Sequence, residues 1–279
     1  MQAEGVAVVT GAGRGLGRAL ALELAGRGFE VEALVRRPEA GEAVRAEGAA
    51  RGLRVGWRIL DVDEPGDYQP PAGLRVLVHN AGIDRDWLPL ELSREADWRA
   101  LFETHVFGLV ELSRRALPRL RESGGGVLCA ITSCSILTPM PLFSAYRASK
   151  LAVSALLESL AVEVAPFHIR VLEVLPGAVR TEMLEAVADP LPAAALGPYR
   201  DLASRVQQAR SASVGLGVEP AEAARRIADA ILDDSAPLRV ACDPMGASLL
   251  GAWRTGDDEG RLRGMIATFA TGPAGGRGE

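Results

Sequence analysis

Tyr146 and Lys150 stand four residues apart in Ser144-Ala145-Tyr146-Arg147-Ala148-Ser149-Lys150, and an apolar run from Leu151 to Leu157 follows without a break. On a helix this spacing sets a phenol and an ammonium on one face, about one turn apart. Lys150 is the only lysine among 31 Lys+Arg residues. Arginine cannot lose its proton and presents a broad fork, so a chain this biased to arginine that keeps one lysine points to a site that needs a compact ammonium. A phenol with its ordinary pKa of about 10 hardly ionises at neutral pH. A cation about 4–6 Å away lowers an acid by roughly 1–3 units, so the pair is predicted to do acid/base chemistry. The spacing alone also fits an ordinary core helix, and the rest of the chain has to decide between the two readings.

With 279 residues, 48% of them hydrophobic, the chain can bury one large α/β core. The arginines are scattered among 36 acidic residues for a net charge of -5, which argues against a nucleic-acid partner. Cys129, Cys134 and Cys242 are odd in number and lack metal-ligand spacing, so we expect reduced thiols in a cytoplasmic protein and no metal. Met1-Gln2-Ala3-Glu4-Gly5 has no basic leader region, and no apolar run reaches membrane-spanning length, so neither a signal peptide nor a membrane segment is expected.

The elements that must position the pair are legible in order. Val6 to Thr10 is a short β-branched run, a buried strand. Gly11-Ala12-Gly13-Arg14-Gly15-Leu16-Gly17 then leads into a helical pattern from Arg18 to Ala25. Strand, glycine turn and helix N-terminus together make a phosphate cradle, because glycines admit a pyrophosphate to backbone N–H groups at the positive end of the helix dipole. No lysine follows the turn, which excludes a P-loop. A second strand, Glu30 to Val35, ends in Arg36-Arg37, about where a dinucleotide fold meets the adenosine ribose. An acidic residue there would select NAD. Arg36, with Arg14 able to reach the same place, offers paired donors to a phosphate and favours NADP. Further strands are predicted at 53–60, 74–79, 127–131, 169–175 and 238–241. Helices are predicted at 39–51, 93–122, from Tyr146 to about 165, and 219–232.

Thr10-Gly11-x-x-x-Gly15-x-Gly17 resembles the cofactor turn of the short-chain dehydrogenase/reductase family, and five further motifs follow in order over roughly residues 5–245. The resemblance implies that Asp61-Val62 holds adenine and that Asn80-Ala81-Gly82 lies against the cofactor; Asn80 is the only asparagine in the chain. Ser133, thirteen positions before Tyr146, matches the family's catalytic serine. In Pro176-Gly177-Ala178-Val179-Arg180-Thr181, the backbone of Val179 and the hydroxyl of Thr181 are implied to bond the nicotinamide carboxamide. Where the family usually has Asn in the helix over 93–122, completing a tetrad with a bound water, this chain has His105. An imidazole can still relay protons and would titrate near pH 6.5, so its part is left open between relay and packed core residue.

The fold so implied is α/β, a Rossmann-type doubly wound parallel sheet in a single domain over residues 1–270, with a substrate lid at about 182–218 and a disordered tail at 271–279. The implied function is an NADP-dependent oxidoreductase that interconverts a carbonyl and an alcohol. Ser133 would orient the substrate, Tyr146 would act as acid/base, and Lys150 would lower the phenol pKa and bond the cofactor ribose. Ile136, Leu137, Met140, Leu142, Trp87, Met183 and Leu184 are expected to make an apolar pocket with Asp84, Arg85 and Asp86 at its mouth. The stretch Pro166 to Val171 and the extended C-terminal segment resemble the 17β-hydroxysteroid and retinol dehydrogenase branch, and a homodimer or homotetramer is implied through the helices at 93–122 and 145–165. A cofactor-binding regulator without turnover and an NAD-dependent alcohol dehydrogenase are the alternative readings.

Overall fold

In the computed structural model, which describes residues 1–185, 189–195 and 197–270, the short apolar runs become the strands of one sheet. These are β1 (Val6–Thr10), β2 (Glu30–Val35), β3 (Val55–Ile59), β4 (Leu74–His79), β5 (Gly126–Ile131), β6 (Ile169–Val174) and β7 (Arg239–Val240). Their order is β3-β2-β1-β4-β5-β6-β7 and every pairing is parallel. The order reverses between β1 and β4, and a crevice opens at the carboxyl ends of strands at such a point. The edge strands are shorter than the sequence pattern suggests: β3 pairs only with β2 and leaves Ile59 exposed, and β7 keeps two residues.

Both faces of the sheet are covered, which is why the strands read as continuous apolar runs. On one face α1 (Gly15–Arg27), α2 (Pro38–Ala50) and α8 (Pro220–Leu232) pack Leu20, Leu24, Val44, Ile227 and Ile231 on Ala7, Val9, Val76 and Val78. On the other, α4 (Gly108–Glu122) and α5 (Ser144–Val164) pack Leu112, Leu120, Val153 and Leu157 on Val8, Leu77 and Leu128. Residues 93–122 do not form the single regular helix expected. They form α3 (Glu95–Phe102), a π-helical turn (Glu103–Phe107) and α4, and the wider turn carries Thr104 and His105, both buried.

The segment after β6 is also more ordered than its loose pattern suggests. It holds a one-turn α6 (Glu182–Glu185) and a four-turn α7 (Arg200–Val214), whose Ala203 and Val206 pack with Leu142, Leu191 and Phe269. A bridge between Val179 and Val218 ties its two ends together. Residues 186–188 and 196 of the expected lid, and the expected tail at 271–279, lie outside the described residues. Helices α9 (Pro244–Thr255) and α10 (Asp258–Ala270), which the sequence reading did not place, follow β7.

Candidate active site

At the carboxyl ends of β1 and β4 lies a cavity of about 910 Å³. Its lining includes Gly11, Gly13, Arg14, Gly15, Leu16, Gly17, Arg36, Asp61, Val62, Asn80, Ala81, Gly82, Ser133, Tyr146, Lys150, Pro176, Gly177, Val179 and Thr181. Of the residues assigned to catalysis or cofactor binding from the sequence, only His105 lies off this wall. It lines a much smaller enclosed space behind Lys150, shared with Thr10, His79 and Thr104.

The glycine turn is shaped for close approach. Gly11 has φ 63°, and a Cβ at Gly17 would sit 2.3 Å from Asn80 Nδ2. Asn80 pins the turn by donating from Nδ2 to the carbonyls of Thr10 (3.0 Å) and Gly11 (3.3 Å), while its own N–H donates to Thr10 Oγ1 (3.0 Å). Arg14, the residue before α1, gives the helix no side-chain cap, so the first-turn N–H groups open onto the cavity. An uncapped helix start behind a glycine turn fits a dinucleotide pyrophosphate, and Arg36, with no hydrogen bond or ion pair among the described residues, fits a phosphate beyond it. Arg14 pairs with Glu182 of α6 across the cavity mouth.

Helix α5 buries Tyr146, Lys150, Val153 and Leu157 on one stripe, which carries the two reactive groups inward with the core residues. Lys150 Nζ donates to the carbonyl of Ile131 (3.1 Å) and lies 5.7 Å from the centre of the Tyr146 ring. Burial pushes the ammonium down to about 8, opposed by the carboxylates of Glu173 and Asp84. Burial likewise pushes the Tyr146 phenol up, aided by Asp84 and Cys134, while a hydrogen bond with Ser133 pulls it back. The expected fall in the phenol pKa beside Lys150 is therefore outweighed by desolvation, and the phenol stays protonated at neutral pH. Ser133, at the end of β5, accepts from the N–H of Ser135 (3.1 Å) in the turn that follows.

His105 does not titrate near pH 6.5. Its Nε2 accepts from the N–H of Ile83 (3.1 Å), which makes Nδ1 the protonated nitrogen facing Ser149 Oγ (2.8 Å). The Ser149 hydroxyl in turn donates to the carbonyl of Tyr146 (2.8 Å). Both nitrogens are used, and burial, with Lys150 nearby, holds the imidazole neutral down to about 2. His105 thus ties the π-helical turn to α5 and to the loop after Gly82, and packs edge-on to the Tyr146 ring at 5.3 Å.

The pocket differs from expectation in part. Met140, Trp87, Met183, Leu184 and Asp84 line it. Ile136 and Leu137 instead pack against Leu175 and Leu250, and Leu142 joins the cluster under α7. Arg85 and Asp86 face away, paired with Asp97 and Arg94. Short-range pattern cannot show which side of a loop faces inward.

Three supporting residues escaped the sequence reading. Asp243, fully buried, accepts from the N–H groups of Gly177 (2.6 Å), Ala178 (3.3 Å) and Gly246 (2.9 Å), so it caps α9 and anchors the loop after β6. Its Asp-Pro helix-start signature was the one available signal. Arg147 holds the loop after Ser133 through the carbonyls of Ser135, Ile136 and Thr138. Glu173, mid-strand in β6 and fully buried, accepts from Thr132 Oγ1 (2.9 Å), Ser154 Oγ (2.9 Å) and Arg239 Nε (2.9 Å).

A parallel sheet with a glycine turn at its switch point and Ser133, buried Tyr146 and buried Lys150 on the same cavity is the arrangement of a dinucleotide-dependent oxidoreductase. Residues 5–191 match the short chain dehydrogenase family, and the chain belongs to it. It is 33% identical over 187 residues to the uncharacterized oxidoreductase YusZ of Bacillus subtilis, covering 64% of this chain and 66% of that relative. A short-chain dehydrogenase from Streptomyces avermitilis superposes with a TM-score of 0.70 at 32% identity, covering 96% of each chain. One from Burkholderia cenocepacia in complex with NADP gives 0.72 at 26% identity, covering 98% of this chain and 100% of that one.

Proposed function

We propose that the protein is an NADP-dependent oxidoreductase that interconverts a carbonyl and an alcohol on a largely apolar substrate. The observation that carries this reading is that Ser133, Tyr146 and Lys150 share one cavity wall with the glycine turn and Arg36. When bound, the nicotinamide supplies or accepts the hydride. The glycine turn and the start of α1 would hold the pyrophosphate, Arg36 and Arg14 the ribose phosphate, and Asp61 with Val62 the adenine. Asn80, Ala81, Gly82, Pro176, Gly177, Val179 and Thr181 would seat the nicotinamide half. In reduction, the Ser133 hydroxyl orients the carbonyl oxygen and the buried, protonated Tyr146 donates its proton to it. The Lys150 ammonium stabilises the phenolate left behind. The absence of an acidic residue at Val35-Arg36 supports NADP over NAD.

Exposed Phe107, at the end of the π-helical turn, and Leu151 and Val162 of α5 support pairing of copies through these two segments. Three buried free thiols are in keeping with a cytoplasmic protein, and among the described residues no helix is long and apolar enough to cross a membrane.

The test is NADPH consumption against a panel of ketones and aldehydes, with Tyr146→Phe as control. Turnover that falls at least about 100-fold in the variant while NADPH binding persists supports the reading. Arg36→Ala should shift the NADPH-to-NADH preference by about tenfold. Tight NADPH binding without turnover in either direction would favour a regulator, a reading the bond-locked His105 supports, since it stands where the family carries asparagine.

A further inference from the structure

A column of rings leads away from the acid/base residue along the cavity wall. Phe143 stacks on Tyr146 with centroids 4.5 Å apart and planes inclined by 12°, and Trp87 stacks on Phe143 at 3.7 Å. The guanidinium of Arg210, from α7, lies over Trp87 at 4.4 Å. All four residues line the 910 Å³ cavity. The cation therefore sits three stacking separations, on the order of 10 Å, from the phenol.

Arg210 is held in place and under-used. Helix α7 is fixed by Ala203 and Val206 in the core and by Arg205 Nε donating to the carbonyl of Phe269 (3.0 Å). Of the guanidinium donors, Nη1 makes one long bond to Gln207 Oε1 (3.3 Å), while Nε is buried without a partner. Asp84 and Asp189 are the acids that face it, and neither forms an ion pair with it among the described residues. The Asp84 carboxylate already accepts from the N–H of Arg85 (2.8 Å) and from Trp87 Nε1 (3.2 Å). A fixed, half-buried arginine at the end of an aromatic wall, with terminal nitrogens that no carboxylate pairs among the described residues, is suited to receive an anion.

We propose that Arg210 is a substrate-anchoring residue, and that the substrate is an elongated carbonyl compound or alcohol with an apolar body and an anionic end: a carboxylate, or a phosphate or sulfate ester. This rests on the reductase reading above and extends it. The apolar body lies along Trp87 and Phe143, the anion meets Arg210, and the reacting carbon is left near Tyr146.

The test uses the full chain with saturating NADP and decanoate or the neutral decanamide as probes, below micelle formation. Binding is followed by Trp87 fluorescence, with Trp87→Phe defining its share. Decanoate should bind at least about tenfold more tightly than decanamide, a preference lost in Arg210→Gln and partly kept in Arg210→Lys. Decyl phosphate and decyl sulfate, run alongside, rank the anion types. Equal binding of acid and amide, no binding of either, or a preference that survives Arg210→Gln overturns the proposal. Turnover separates the two readings. If oxo acids and their methyl esters are reduced equally well in wild type and in Arg210→Gln, the reductase stands and the anchor falls. If decanoate selectivity holds while no carbonyl compound reacts, the anion site stands and the reductase reading falls.

Discussion

Glu173→Gln should move the pH profile of the enzyme although Glu173 itself is not on the cavity wall. Glu173 is fully buried in β6, in register with Ala130 and Arg239, and its charge helps keep Lys150 protonated against burial. Removing an opposite charge lowers a cation's pKa by about 1–3 units, and the low end applies because Asp84 still acts on Lys150. Lys150 would then titrate about one unit below its present value of about 8. At pH 7.5 the protonated fraction falls from about three quarters to about one quarter. In the proposed mechanism the ammonium is the working form, so activity is lost as pH rises through this pKa and the variant's descending limb shifts to lower pH. The assay is kcat/KM for NADPH across pH 5.5–9.5, which reports groups on the free enzyme. Glutamine keeps the shape but presents donors where three donors converge, at a cost of about 1–3 kcal/mol, so a thermal melt accompanies the profile. Thr132→Val removes one of those hydrogen bonds and leaves the charge, so its limb should stay in place. If the limb of Glu173→Gln does not move, or if Thr132→Val moves it equally, charge support of Lys150 is refuted.

Two further outcomes follow from other buried polar groups. His79, bonded through Nε2 to Ser113 Oγ (2.9 Å), is held neutral to about 3 by burial, and His105 to about 2. Both folded values lie below the ordinary 6.5, so the unfolded chain binds more protons once pH falls below 6.5. Stability is then lost at about 1.4 kcal/mol per pH unit for each histidine. Denaturant midpoints from pH 7 to 5 should therefore fall, and His79→Gln should remove about half of that slope. Asp243→Asn should cost about 2–4 kcal/mol in a melt and raise KM for the cofactor, because one acceptor oxygen would then face the N–H groups of Gly177 and Gly246. A melt within about 0.5 kcal/mol of wild type would show that this anchor is dispensable.

The strands, the glycine turn and the inward stripe of α5 were legible in the chain because each depends on neighbours within a few residues. Val6 to Thr10 must be buried on both faces wherever it lies, Gly11 and Gly17 mark backbone approach, and Tyr146 and Lys150 share a face by helical period alone. What the tertiary structure decided are the partners that come from afar. Asp243 meets Gly177 across 66 residues, Arg239 meets Glu173 across 66, and no local pattern announces either. The same holds for His105, whose type alone allowed relay or core. Contacts with Ile83 and Ser149, 22 and 44 residues away, occupy both its nitrogens and make it a brace. Arg210 lies in a segment whose sequence pattern is loose, and only the packing of α7 over Trp87 sets it on the cavity wall. Propensity and period act along the chain, whereas charge support, tautomer and pocket lining are set by groups that meet only after the sheet has formed.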